Sequence, residues 1–308
     1  MPPPTVTSRR RPVAGALAAL TGVVLWGSLV VLVKTGEETN GLVIGFHRIW
    51  VGAVGVAVVA LVVGRFPDRR AFRISLPGGL LFAADIVLFF SAIKLTTVAN
   101  ATIVGALQPV ILLYVGARRF GERVTAALVV LTAIAVGGAA LVAVGSADAT
   151  GEWRPVGDLL AVAALATWAG YFAASKQARQ SLDTLQYLTA FLIIAAVAVA
   201  PVAVLFGGGL AVSGDTWLVI VVLALGSGAV GHFLMNWSHG HIPLHLSSLL
   251  TLSLPAVSAI SAALFLDEPL VGLQVVGIAV VVTALAVVVG RTQAPEVVAP
   301  TAEGLPTG

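Results

Sequence analysis

Two opposite charges stand inside apolar runs long enough to cross a membrane. Arg48 lies in LVIGFHRIWVGAVGVAVVALVV, and Asp85 lies in LPGGLLFAADIVLFFSAIKL. A charge in hydrocarbon costs about 3 kcal/mol or more, so such residues are functional candidates. Asp85 is the acidic residue set deep within a run, roughly 15 Å from the run's outer end, and Arg48 is roughly 9 Å below the outer end of its own run. The two runs are consecutive and antiparallel. A long arginine side chain spans that difference in depth, which predicts an Arg48–Asp85 ion pair facing a cavity. The competing reading has Arg48 reaching back to the headgroups and Asp85 neutral against backbone. An unpaired Asp85 is the natural carrier of a coupling proton; a paired one fixes the charge.

Uncharged polar side chains add to these. Gln108 sits in the middle of ANATIVGALQPVILLYVGARRFGER and needs a partner there. Ser247, Thr251, Ser258 and Ser261 fall with Leu254 and Pro255 on one helical stripe. That stripe serves close helix packing or lines a cavity, with Thr251 and Ser258 nearest its centre. Trp26 and Trp168 suit the walls of a site for an amphipathic ligand, or act as interface anchors. Tyr171 and His47 are further cavity candidates. His232, Asn236, His239, His241 and His245 crowd one turn. Zinc is disfavoured there: no carboxylate or cysteine stands near, and Pro243 breaks the helix between His241 and His245. His232, Asn236 and His245 read instead as a gate, matched at the other end by Asn100 beside Lys94.

The elements that must position these residues are membrane helices. Of 308 residues, 58% are hydrophobic and 10% charged, so most of the chain must face lipid or other spans. There is no cysteine, hence no disulfide or thiolate metal site. Division into runs of about 20 residues gives ten spans: Val13–Val33, Leu42–Val63, Leu76–Leu95, Val98–Ala117, Val124–Val144, Gly157–Ser175, Gln186–Phe206, Thr216–Asn236, His245–Leu266 and Leu270–Gly290. Tails over residues 1–12 and 292–308 read as disordered. With the N-terminus inside, the inner segments hold Arg9, Arg10, Arg11, Arg65, Arg69, Arg70, Arg73, Arg118, Arg119, Arg123, Lys176, Arg179 and Arg291. The outer segments hold Lys34, Lys94 and Arg154. That asymmetry places both termini in the cytoplasm. The basic balance reflects these loops and not nucleic acid.

The chain also repeats. Pro109 and Glu122 recur at one shared offset as Pro255 and Glu268, and Trp26 and Lys34 recur as Trp168 and Lys176. Five spans per copy is odd, so the second copy lies upside down. Residues 13–145 and 156–291 are the two copies, and residues 146–155 link them. Two spans interrupted by proline at matching places point to a transporter's binding site, with Pro109 and Pro255 as hinges. Glu122 and Glu268 are expected to cap the helix that follows each turn.

Five plus five spans, Leu-Trp-Gly-Ser in span 1, Ala-Asn-Ala at the start of span 4, Gly-Glu-Arg after it and Asp-Glu-Pro after span 9 resemble the EamA family of the drug/metabolite transporter superfamily. The resemblance implies a ten-helix secondary transporter, often an exporter of amino acids or other small metabolites, with no cofactor. It also implies a central cavity lined by spans 1–4 and 6–9. The expectation is an all-α plasma-membrane transporter of two inverted repeats that exports a small metabolite by alternating access, as a monomer or homodimer. The rivals are an uptake permease of the same fold and a membrane enzyme acting on a lipid-linked substrate. The enzyme would need paired acids or a nucleophile at one depth, and Asp85 stands alone.

Overall fold

The computed structural model describes residues 11–30, 32, 40–146 and 154–293. Residues 1–10, Lys34, residues 147–153 and residues 294–308 fall outside the described residues, while Pro12, Thr292 and Gln293, expected in disordered tails, are helical. Among those described, the regular elements are helices. They are α1 (Pro12–Val30), α2 (Gly41–Val62), α3 (Arg69–Ala92), α4 (Val98–Gly105), α5 (Gln108–Phe120) and α6 (Ala126–Gly145). After the linker come α7 (Pro155–Ala178), α8 (Thr184–Phe206), α9 (Gly214–Leu223), α10 (His232–His239), α11 (Leu244–Leu250), α12 (Leu254–Phe265) and α13 (Gly272–Gln293). They make ten candidate membrane spans by length and composition.

Short polar side chains start these helices by accepting from otherwise unpartnered amides. Asn40 accepts from Leu42 N, Thr97 from Asn100 N and Asp183 from Leu185 N. Asp68 accepts from Ala71 N at 2.7 Å, so α3 begins at Arg69, well before the Leu76 expected from hydropathy. Its first two turns are basic and amphipathic, which an apolar window does not register.

Three spans are not continuous α-helix. The fourth is broken between α4 and α5, and Pro109 lies in the first turn of α5. The ninth passes through a 3₁₀ turn, Thr251–Ser253, and Pro255 lies in the first turn of α12. Proline is tolerated there because its missing N–H would lack a helical partner anyway. The eighth widens into a π-helical run, Ala224–Gly231, between α9 and α10.

The two matched turns share one backbone form. Gly121 takes φ 64° and Asp267 takes φ 54°, both left-handed. Glu122 N–H then donates to Gly116 O at 3.0 Å, and Glu268 N–H to Ala262 O at 3.4 Å.

The strongest packing joins early helices to late ones. α1 packs on α10 and α12, α2 on α8 and the π run, α3 on α7 and α8, α5 on α11, and α6 on α13. Polarity is turned inside out, as a lipid solvent demands. Val58, Leu61, Leu218 and Leu264 are exposed, while Gln108, Ser175, Asn236 and Ser247 are buried.

Candidate functional site

α1, α2, α3, α7, α8 and α10 converge on an aromatic group. The rings of Trp26 and Trp168 meet edge to face at 5.8 Å. His232 lies 4.9 Å from Trp26 and 5.0 Å from Phe82. Tyr171 lies 5.2 Å from Trp168 and stacks on Phe191 at 5.3 Å. Trp26 Nε1 donates to the Ser227 carbonyl at 2.9 Å, which ties α1 to the π run. Both tryptophans remain half-buried, so part of each indole borders open space. Each indole packs against rings of the other half of the group.

Arg48 and Asp85 border the same region and are also half-buried. Each acts electrostatically on the other, and Arg48 acts on His232. Neither makes a hydrogen bond or an ion pair within 4.0 Å among the described residues. The contact pair expected from the sequence is therefore not formed. Arg48 runs inward, with Cγ 3.7 Å from where a Cβ on Gly228 would stand, and does not turn toward headgroups. Arg48 and Asp85 thus share one cleft with their polar atoms uncommitted.

Behind the aromatic group runs a buried polar chain. Tyr171 Oη donates to Asn236 Oδ1 at 2.9 Å and lies 3.2 Å from His232 Nδ1. Ser175 Oγ donates to the same Asn236 oxygen at 2.7 Å and lies 2.8 Å from His239 Nδ1. Asn236 Nδ2 and His239 Nε2 are buried without a partner. His232 and Asn236, expected at a gate, thus belong with the aromatic group.

Gln108 is 1% exposed at the α4–α5 break. Its Oε1 receives Thr251 Oγ1 at 3.0 Å, while Thr251 also contacts Ser248 O at 2.6 Å. Gln108 Nε2 has no partner. In the rest of the hydroxyl stripe, Ser258 and Ser261 join helices and Ser247 bonds within its own. Ser258 Oγ donates to Gly27 O at 3.2 Å, Ser261 Oγ to Ser28 Oγ at 3.2 Å, and Ser247 Oγ to Leu244 O at 2.9 Å.

Glu122 does cap a helix, but not the one that follows it. It reaches across to α11, accepting from Leu244 N at 2.5 Å, His245 N at 3.2 Å and His245 Nδ1 at 2.7 Å. Lys176 Nζ lies 3.3 Å from the same carboxylate and donates to Ile242 O at 2.8 Å. Burial alone would raise the Glu122 pKa. The His245 ring, the Leu244 amide, the Lys176 cation and the His245 amide outweigh it and bring it down to about 2. A side chain on Gly116 would occupy the carboxylate's place. Glu268, at the matching turn, is exposed.

The remaining candidates lie apart. His47 accepts from Trp50 Nε1 at 2.8 Å and pairs through Nε2 with Leu210 O at 2.9 Å, on the α9 side of α2. Asn100 Nδ2 lies 3.3 Å from Thr96 Oγ1 and 3.5 Å from Asp158 Oδ1, at the end opposite Glu122. His241 is bound to Trp237 O and His245 to Glu122, so the histidines of that turn do not converge on one point. Sequence reasoning missed Phe82, Phe191 and Ser175. Ser175 sits one residue before the repeated lysine, which is the signal that could have found it.

The profile of the EamA-like transporter family matches residues 13–144 and 155–290. A curated relative, the aromatic amino acid exporter YddG of Ancylobacter novellus, is 29% identical over 233 residues, covering 74% of this chain and 79% of that one. A crystal structure of a protein with 19% identity superposes with a TM-score of 0.81, over 92% of this chain and 100% of the other. At that identity the superposition establishes the shared fold alone.

Proposed function

This chain belongs to the EamA-like transporter family, and we propose that it exports a small zwitterionic, amphipathic metabolite of the aromatic amino acid type by alternating access. It is a multi-pass membrane transporter of a family that moves small molecules; substrate and direction are the proposal. The observation that carries it is the cleft itself. Arg48 and Asp85 offer an uncommitted guanidinium and an uncommitted carboxyl group beside the half-buried rings of Trp26 and Trp168. An α-carboxylate fits Arg48, an α-ammonium fits Asp85, and an apolar ring fits the indoles. The relative that exports aromatic amino acids supports both class and direction.

The cycle follows from the two halves. The shared offset of Pro109 and Pro255, and the matching left-handed turns at Gly121 and Asp267, support inverted repeats. On this reading α4–α5 and α11–α12 bend at their breaks. The basic residues around Arg65, Arg118 and Lys176 support a cytoplasmic position for the Glu122 end. Glu122, Lys176 and α11 then form the closed inner gate, and Asn100 belongs to the outer one. Asp85 is the group that would carry a coupling proton.

The test is efflux from cells that express the protein, preloaded with labelled tryptophan, against Asp85→Asn at equal membrane level. Faster efflux that the variant loses supports the reading. Efflux equal to that of cells without the protein, with faster entry of the label instead, refutes export.

A further inference from the structure

His232 has one ring nitrogen engaged and one free. Nδ1 faces Tyr171 Oη at 3.2 Å. Nε2 makes no hydrogen bond, and it is not among the sealed polar atoms, whereas His239 Nε2 is. It therefore keeps a little accessible surface even though the residue is only 3% exposed.

The chain of hydrogen bonds behind the ring decides what that nitrogen can do. Asn236 Oδ1 can only accept, and it takes the hydroxyl hydrogens of both Tyr171 and Ser175. Tyr171 has no hydrogen left to give, so a neutral His232 must place its own on Nδ1 and donate it to Tyr171 Oη. Nε2 is then a bare lone pair. Turning the Asn236 amide over would reverse both hydroxyls and make Nε2 a donor, so this orientation sets the polarity of the wall.

The surroundings define the partner. Trp26, Phe82 and Trp168 stand within 6.5 Å of the imidazole, centroid to centroid, so what reaches Nε2 comes along an aromatic wall. Arg48 already places a positive charge next to it, which disfavours a second cation there. We propose that His232 is a specificity-determining residue whose Nε2 accepts a hydrogen bond from a neutral donor on the substrate's ring. The preferred ligands carry an indole N–H or a phenol O–H, and Tyr171 and Asn236 are positioning residues acting through His232. This rests on the reading of the cleft as a site for amphipathic amino acids.

Purified full-length protein in lipid nanodiscs, labelled with ¹⁵N-histidine, tests it. Comparison with His232→Phe identifies the His232 signals. The expected spectrum has a protonated Nδ1 and a bare Nε2, and L-tryptophan shifts Nε2 while L-phenylalanine leaves it. In binding, the protein should prefer L-tryptophan over L-phenylalanine by about tenfold, the scale of one well-made hydrogen bond in a desolvated site. That ratio should collapse in His232→Phe and fall in Tyr171→Phe. A ratio is insensitive to a general loss of fold or affinity. A protonated Nε2, or a ratio indifferent to His232, overturns the inference while leaving the function intact. If neither amino acid binds, the proposed function itself fails, and the inference fails with it.

Discussion

Thr251 Oγ1 lies 3.0 Å from Gln108 Oε1, so the two interrupted spans touch at their breaks. An interruption frees backbone groups that lipid cannot satisfy. The contact between the breaks joins two side chains, and it ties the bending of one span to the other. Gln108→Leu and Thr251→Val should each slow transport about fivefold, the scale of one hydrogen bond. The double variant should be no worse than the more severe single one. Multiplying defects in a proteoliposome rate assay would show that the contact couples nothing.

The uncommitted Arg48 and Asp85 make a prediction about substrate charge. Asp85→Asn should weaken transport of tryptophan by at least tenfold, as loss of a hydrogen bond to a charged group implies. It should leave indole-3-propionate, which lacks the ammonium, far less affected. Arg48→Gln should do the reverse, sparing tryptamine, which lacks the carboxylate. Competition by the three compounds against labelled tryptophan measures both. Equal losses for all three in each variant would assign the pair to structure.

Gly78 has no room for a side chain, because the Tyr187 hydroxyl occupies the space its Cβ would take. Gly78→Ala should destabilise by about 1–3 kcal/mol through overpacking. Adding Tyr187→Phe removes the clashing oxygen and should restore most of the loss. Thermal unfolding in detergent of the two singles and the double is the measurement. A double as unstable as Gly78→Ala alone would put the strain elsewhere.

Glu122 sets a pH window. Its folded pKa of about 2 lies below the ordinary 4.5, so its stabilising effect is complete above about pH 4.5 and fades only as pH falls toward 2. Between pH 8 and 5 the Glu122 carboxylate should therefore hold constant charge. Glu122→Gln should raise the accessibility of a single cysteine at Ser248 to a cytoplasmic reagent, and it should keep the shape of the transport pH profile in that range. The chain has no native cysteine to interfere. A profile displaced by the variant would mean that the carboxylate titrates where transport is active.

Much of the fold could be read from residues alone, for local reasons. Run length fixes a span, and proline fixes where a helix can begin, so the breaks at Pro109 and Pro255 stand in the sequence. Trp26, Trp168, Arg48, Asp85 and Tyr171 were visible as polar or aromatic residues at depth. What hydropathy hides is set across the chain. Glu122 was read as capping the helix after its own turn, yet its amides belong to Leu244 and His245 in the other half. His232 and Asn236 were placed at a gate because they neighbour a loop in sequence. The depth of α10 and its register place them inward. His47 shares an aromatic neighbourhood with Trp50 and Trp217, but on another face of α2.

The π-helical run Ala224–Gly231 immediately precedes His232. A π-helix closes i→i+5 bonds, so each of its residues turns the next by less than the roughly 100° of an α-helix, and the run sets the phase at which α10 begins. A change in the length of the run would therefore re-aim His232 and Asn236 together. Its sequence, Ala-Leu-Gly-Ser-Gly-Ala-Val-Gly, is small enough to accept such a change in length. The stretch therefore acts as an index ring. Among relatives, an insertion or deletion here would change which side chains face the cargo without any substitution in the lining itself.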